Sequence, residues 1–151
     1  MTEARTFKYK SNLSKQMSQP GGRSIHDAVR RADAALEGHR ESGMLAVTTA
    51  LGQLEEACRV RDNAAHGEIY EKAAALLDMA GFFDTGPLYG AAYSLCEITD
   101  LMLASGAWAW PSVDVHVRAL RLILADGCVE GETSAALLAG LRSVVARSRP
   151  E

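Results

Sequence analysis

The residues able to do chemistry are few in this chain, and their spacing limits what they can do. Four histidines occur, His26, His39, His66 and His116. None has a second histidine three or four residues on, the spacing that sets two imidazoles on one helix face for a metal ion. They read as partly exposed surface side chains. Cys58, Cys96 and Cys128 stand far apart, with no C-x-x-C pair and no histidine at a ligand spacing. They read as small buried apolar residues rather than ligands, nucleophiles or disulfide partners. No serine lies in the G-x-S-x-G setting that presents a hydroxyl on a strained turn. The Gly21-Gly22 pair lacks the following Gly-Lys-Ser/Thr of a phosphate-cradling loop. The expectation is a protein without catalytic residues, metal or cofactor, and not an enzyme.

The elements that would position a site are helices. Apolar residues make up 48% of the chain and charged residues 23%, which suits a globular core. Alanine and leucine are abundant while β-branched and aromatic residues are sparse, which favours helix over sheet. At 151 residues the length suits one domain. No apolar run approaches the roughly 18 to 20 residues that cross a bilayer, and the first residues are polar, so a cytoplasmic protein without membrane insertion is expected.

Charge divides the chain. Residues 1–23 carry Arg5, Lys8, Lys10, Lys15 and Arg23 against Glu3, whereas the remainder is acidic overall. Pro20, Gly21 and Gly22 close this segment, which reads as a basic, flexible arm. The body adds no basic stripe with interleaved aromatics, so nucleic acid is not an expected partner.

Apolar periodicity predicts six helices. The first runs over about 24–37, capped by Ser24 and Asp27, and stops near Gly38. The second covers Ser42 to Arg61 with Val47, Leu51, Leu54 and Cys58 inside. The third covers about 63–80, buries Ile69, Ala73, Leu76, Leu77 and Ala80, and stops at Gly81. The fourth is capped by Asp84 or Thr85, carries Pro87 in its first turn and ends at Gly106. The fifth starts at Pro111 or Ser112 and ends at Asp126-Gly127. The last covers about 132–147. The short "GFFDTGP" connection makes the third and fourth helices antiparallel neighbours.

The helix-loop-helix "KAAALLDMAGFFDTGPLYGAAYSLCEI", residues 72–98, resembles the third and fourth helices of the histidine phosphotransfer (HPt) domain. The family pattern H-x-L-K-G-x-A-G, set with its final A-G on Ala80-Gly81, puts its leucine on Leu76. Its histidine position then falls on Ala74, its lysine on Leu77 and its glycine on Asp78. Ala74 offers no nitrogen to accept a phosphoryl group. Leu77 cannot steady phosphate charge, and Asp78 brings a like charge toward a receiver's acidic pocket. His66 precedes Ala74 by eight residues and is turned about 80° around the helix, so it is no substitute.

Over residues from about 10 to 124 the chain also resembles the alphaproteobacterial chemotaxis proteins named CheE, through "PGGRS", "AAYSLCEITD" and "VDVHVRALRLI". These resemblances imply an all-α fold: an antiparallel four-helix bundle of HPt type over 24–126, with an additional N-terminal helix, followed over 127–151 by an extra C-terminal helix and tail. They imply a non-catalytic interaction protein of a two-component or chemotaxis pathway. Its partner would be a receiver domain or a histidine kinase. The docking face would hold Tyr70, Ala74, Leu77, Asp78 and Gly81, with Ala74 as the degenerate phosphohistidine position. Two other functions compete. An auxiliary phosphatase could use Asp78 as its acid, although no Asn or Gln lies one turn away. A purely structural protein could pair as a homodimer through its last helix and the Trp108–Trp110 loop.

Overall fold

A computed structural model of the chain describes Lys15 and residues 24–149, so the basic arm expected over 1–23 lies, Lys15 apart, outside the described residues. In chain order these residues form α1 (Ile25–Val60), a 3-10 turn (Asn63–Ala65), α2 (His66–Phe82), α3 (Pro87–Ser105), α4 (Trp110–Ala125) and α5 (Glu132–Ser148). The protein is all-helical, with no strand among the described residues. No helix among them is long and apolar enough to cross a membrane.

The two helices expected before residue 61 are one continuous helix of 36 residues. Gly38 does not end it. A lone helical glycine costs about 1 kcal/mol relative to alanine, and no proline is present to break the hydrogen-bond ladder. Ser42, expected to open a second helix, instead donates its hydroxyl to the His39 carbonyl at 3.1 Å within the same helix. The expected cap at the start is present: Ser24 Oγ accepts the Asp27 N–H at 3.1 Å and donates to its carboxylate. The chain divides into two compact units at Gly38–His39. In the first, the described part of α1 leaves Ile25, Val29 and Leu36 exposed.

The second unit is built around α3, which packs against α2, α4 and α5. That role follows from composition, because a helix apolar around most of its circumference must be surrounded. Leu88, Leu95 and Ile98 are fully buried, and Ala91 and Ala92 let neighbouring backbones approach closely. From α1 the side chains of Val47, Leu51, Leu54 and Cys58 enter the same core. At Gly43 of α1 the fit is tighter still, since a β-carbon there would lie 2.1 Å from Cζ of Phe83. Helix α5 also packs on α3 and α4, and Leu141 and Val145 are buried. The segment expected as an addition after residue 126 therefore supplies core.

Ion pairs tie the surface. Arg121 of α4 grips Glu55 of α1 through two hydrogen bonds. Arg61 holds Asp114 at 2.7 Å, and Arg149 pairs with Glu97. All are partly exposed, so each contributes about 1 kcal/mol or less.

The ends of α2 differ from expectation. Asp62 caps the 3-10 turn by accepting the Ala64 N–H at 2.8 Å, and α2 proper begins at His66. Gly81 is helical, and the chain leaves the helix only at Phe83. Neither Asp84 nor Thr85 caps α3. Asp84 is left-handed at φ 48°, and the buried Thr85 hydroxyl donates back to the Ala80 carbonyl at 3.0 Å. Gly86 is the residue before the helix, with Pro87 in the first turn as expected.

Candidate docking face

Tyr70, Ala74, Leu77, Asp78 and Gly81 recur at helical spacing, which places them on one side of α2. The structure brings all five into one strip. Asp78 and Gly81 are exposed, Tyr70 and Ala74 half-buried, and Leu77 half-buried with its side chain packed against the core. Leu77 thus serves both packing and surface. The opposite side of α2, with Ile69, Ala73, Leu76 and Ala80, is sealed inside.

Helix α3 runs beside this strip and extends it. A β-carbon on Gly81 would lie 3.2 Å from Cε2 of Tyr89, so the ring rests against the glycine. One turn on from Tyr89, Tyr93 is 55% exposed, and Cys96 and Asp100 follow on the same side. Cys96 of α3 lies within electrostatic reach of Asp78 of α2: its thiol is pushed up to about 11, first by burial and then by that carboxylate. A surface hollow of about 310 Å³ lies at the loop end, lined by Ala80, Gly81, Asp84, Gly86 and Tyr89. Tyr89 and Tyr93 complete the face and were missed in the sequence. Their spacing of four residues was the available signal for a shared helix side.

No histidine lies on this face. The side chain at 74 is a methyl group, and the nearest histidine along α2, His66, is engaged elsewhere. Its ring stacks on Trp108 at 4.0 Å and 9°, meets the edge of Trp110 at 5.5 Å, and its Nε2 is buried. Arg61 lies over Trp110 at 5.7 Å, completing the cluster.

His116 departs most from expectation. It was expected at the surface, yet it is fully buried on α4. Val113, Val117 and Leu120 bury on the same side of that helix and carry it inward. His26 and His39 are exposed as expected. Cys58 is buried, and burial pushes its thiol up to about 11; Cys128 is raised for the same reason. These thiols suit packing rather than nucleophilic work. Among the described residues no group of three or more His, Cys, Asp or Glu side chains could hold a metal ion.

Comparison of the chain with family models, with curated proteins and with solved structures gives no match.

Proposed function

We propose that this chain is a non-catalytic interaction protein of a two-component or chemotaxis pathway. In this reading it is an HPt-like helical bundle without the phosphorylatable histidine, and it binds a receiver domain or a histidine kinase in the cytoplasm. The observation that carries the reading is the composite α2–α3 face. Tyr70, Ala74, Leu77, Asp78 and Gly81 form an accessible strip beside Tyr89 and Tyr93, with an alanine where the phosphotransfer family has its imidazole. Tyrosines supply large contact area with little conformational entropy to lose, and small residues beside them let a partner approach closely. Binding by such a face needs no nucleophile.

The test is capture of purified receiver and kinase domains on the immobilised chain, alongside the Ala74→His, Leu77→Lys, Asp78→Gly triple variant. Binding of a receiver or kinase by the wild type, with no labelled phosphate moving onto the chain, is the expected result. Label on the wild-type chain would overturn the reading, as would failure of both proteins to bind any such domain. Faster loss of phosphate from a bound receiver would instead establish the auxiliary phosphatase.

A further inference from the structure

Between α4 and α5 lies an open apolar groove. Val115, Leu122 and Val129 are 46%, 57% and 60% exposed. Two hollows of about 610 and 410 Å³ adjoin there and share Leu122, Thr133 and Leu137. The α5 side is low, with Ala136 and Gly140 on its wall. Arg118 lines one hollow and Asp126 the other. Neither is in an ion pair among the described residues. Asp126 follows the last residue of α4, where the helix dipole already places negative charge, so its carboxylate sits where an isolated helix does not favour it.

The charges along α4 complement themselves when the helix is reversed. Arg118 and Asp126, at the C-cap, each stand four residues from Leu122, about one helical turn, so opposite charges flank an apolar centre along α4. A surface pairs with itself across a two-fold axis only when reversing it matches apolar to apolar and plus to minus. We propose that this groove is the two-fold interface of a homodimer, with the α4 helices of two copies laid antiparallel. Leu122 meets the partner's Leu122 on the axis, and Arg118 meets the partner's Asp126. A foreign helix would need no such mirror symmetry of charge.

The size of the face sets the strength. Helix α4 has 16 residues. At about 1.5 Å per residue and about 10 Å between helices, two helices present roughly 500 Å². That is below the about 800 Å² per partner of a standard stable interface, so the dimer forms reversibly with concentration.

Sedimentation equilibrium of the full chain, from about 1 μM to about 1 mM, tests this. The expected result is conversion of a 16.2 kDa protomer into a dimer across that range. Leu122→Asp puts two carboxylates on the axis and raises Kd at least about tenfold. Arg118→Asp and Asp126→Arg each raise it about threefold or more, while the double reversal restores it, because the pair is exchanged rather than removed. All three positions are exposed or at the helix end, and an unchanged helical circular dichroism spectrum confirms that the variants fold. A monomer at every concentration overturns the proposal. So does a dimer indifferent to Leu122→Asp, or a double reversal no tighter than the single ones. The outcome does not depend on whether the α2–α3 face binds a receiver or kinase.

Discussion

His116 Nε2 lies 3.0 Å from Ser94 Oγ across the seam between α4 and α3, and His116 Nδ1 lies 2.7 Å from the Ser112 carbonyl oxygen. A carbonyl only accepts, so Nδ1 carries the proton and the Ser94 hydroxyl donates to Nε2. That assignment at Nε2 holds for the neutral ring, the form that burial favours. Burial lowers its pKa below the usual histidine value, and the Ser112 hydrogen bond opposes this less strongly. A pKa lower in the folded than in the unfolded state means that the unfolded chain binds the proton better. The contribution of His116 is complete above the unfolded value of about 6.5 and is lost as pH falls through the folded one. Unfolding free energies from urea titrations between about pH 7.5 and 5 should fall for the wild type, by at most about 1.4 kcal/mol per pH unit from this site. His116→Gln should flatten that dependence. An equally steep fall in the variant would place the proton uptake elsewhere.

Two glycines of α1 give opposite answers to one substitution. At Gly52 a β-carbon would have nothing within 4 Å, so Gly52→Ala adds helix propensity alone and should stabilise by about 0.5–1 kcal/mol. At Gly43 the same carbon would lie 2.1 Å from Cζ and 2.3 Å from Cε1 of Phe83, so the ring must leave its site. Overpacking costs about 1–3 kcal/mol, which outweighs the propensity gain. Gly43→Ala should therefore lower the thermal midpoint while Gly52→Ala raises it. Equal shifts of one sign would show that Phe83 does not occupy the space beside Gly43.

The sequence carried the core and lost the ends. Val47, Leu51, Leu54 and Cys58, and Leu88, Ala91, Ala92, Leu95, Ile98 and Met102, were legible because a 3.6-residue apolar period is itself the record of a buried face. Gly38 and Gly81 were misread as stops. A glycine ends a helix when its backbone turns left-handed, as Gly106 does at φ 68°, and composition alone does not report φ. His116 was misread because its partner Ser94 is 22 residues away, reachable only once α3 and α4 are docked. The α2 half of the candidate face is what the resemblance to the HPt domain implies. Tyr89 and Tyr93 were not legible, since their place beside it is set by the α2–α3 register.

Substitutions on the α2–α3 face should separate binding from stability. Tyr93 is 55% exposed and Asp78 is exposed, so Tyr93→Ala and Asp78→Lys remove surface groups while leaving the core intact. Surface changes of this kind shift stability by about 0.5 kcal/mol or less. An exposed tyrosine anchoring an interface carries about 2 kcal/mol or more of binding free energy. Calorimetric titration with the captured receiver or kinase should show at least about tenfold weaker binding for Tyr93→Ala, with an unchanged unfolding midpoint. Unaltered affinity in both variants would place the partner on another face.

Alkylation of Cys96 reports the juxtaposition of α2 and α3 directly. Only the thiolate reacts, and burial together with the Asp78 carboxylate holds this thiol at about 11. Against an unperturbed thiol near 8.5, iodoacetamide at about pH 8 should therefore modify Cys96 at least about a hundredfold more slowly in the folded protein than in the unfolded chain. Asp78→Asn removes the smaller of the two causes and leaves burial in place. It should speed labelling of Cys96 by a few-fold and leave Cys58 unchanged, because the carboxylates named beside Cys58 are Asp114 and Glu55 rather than Asp78. Mass spectrometry of timed aliquots resolves the two sites. If Asp78→Asn leaves the Cys96 rate untouched, or accelerates both cysteines alike, then the carboxylate does not face the thiol and the α2–α3 strip does not have the register that the docking face requires.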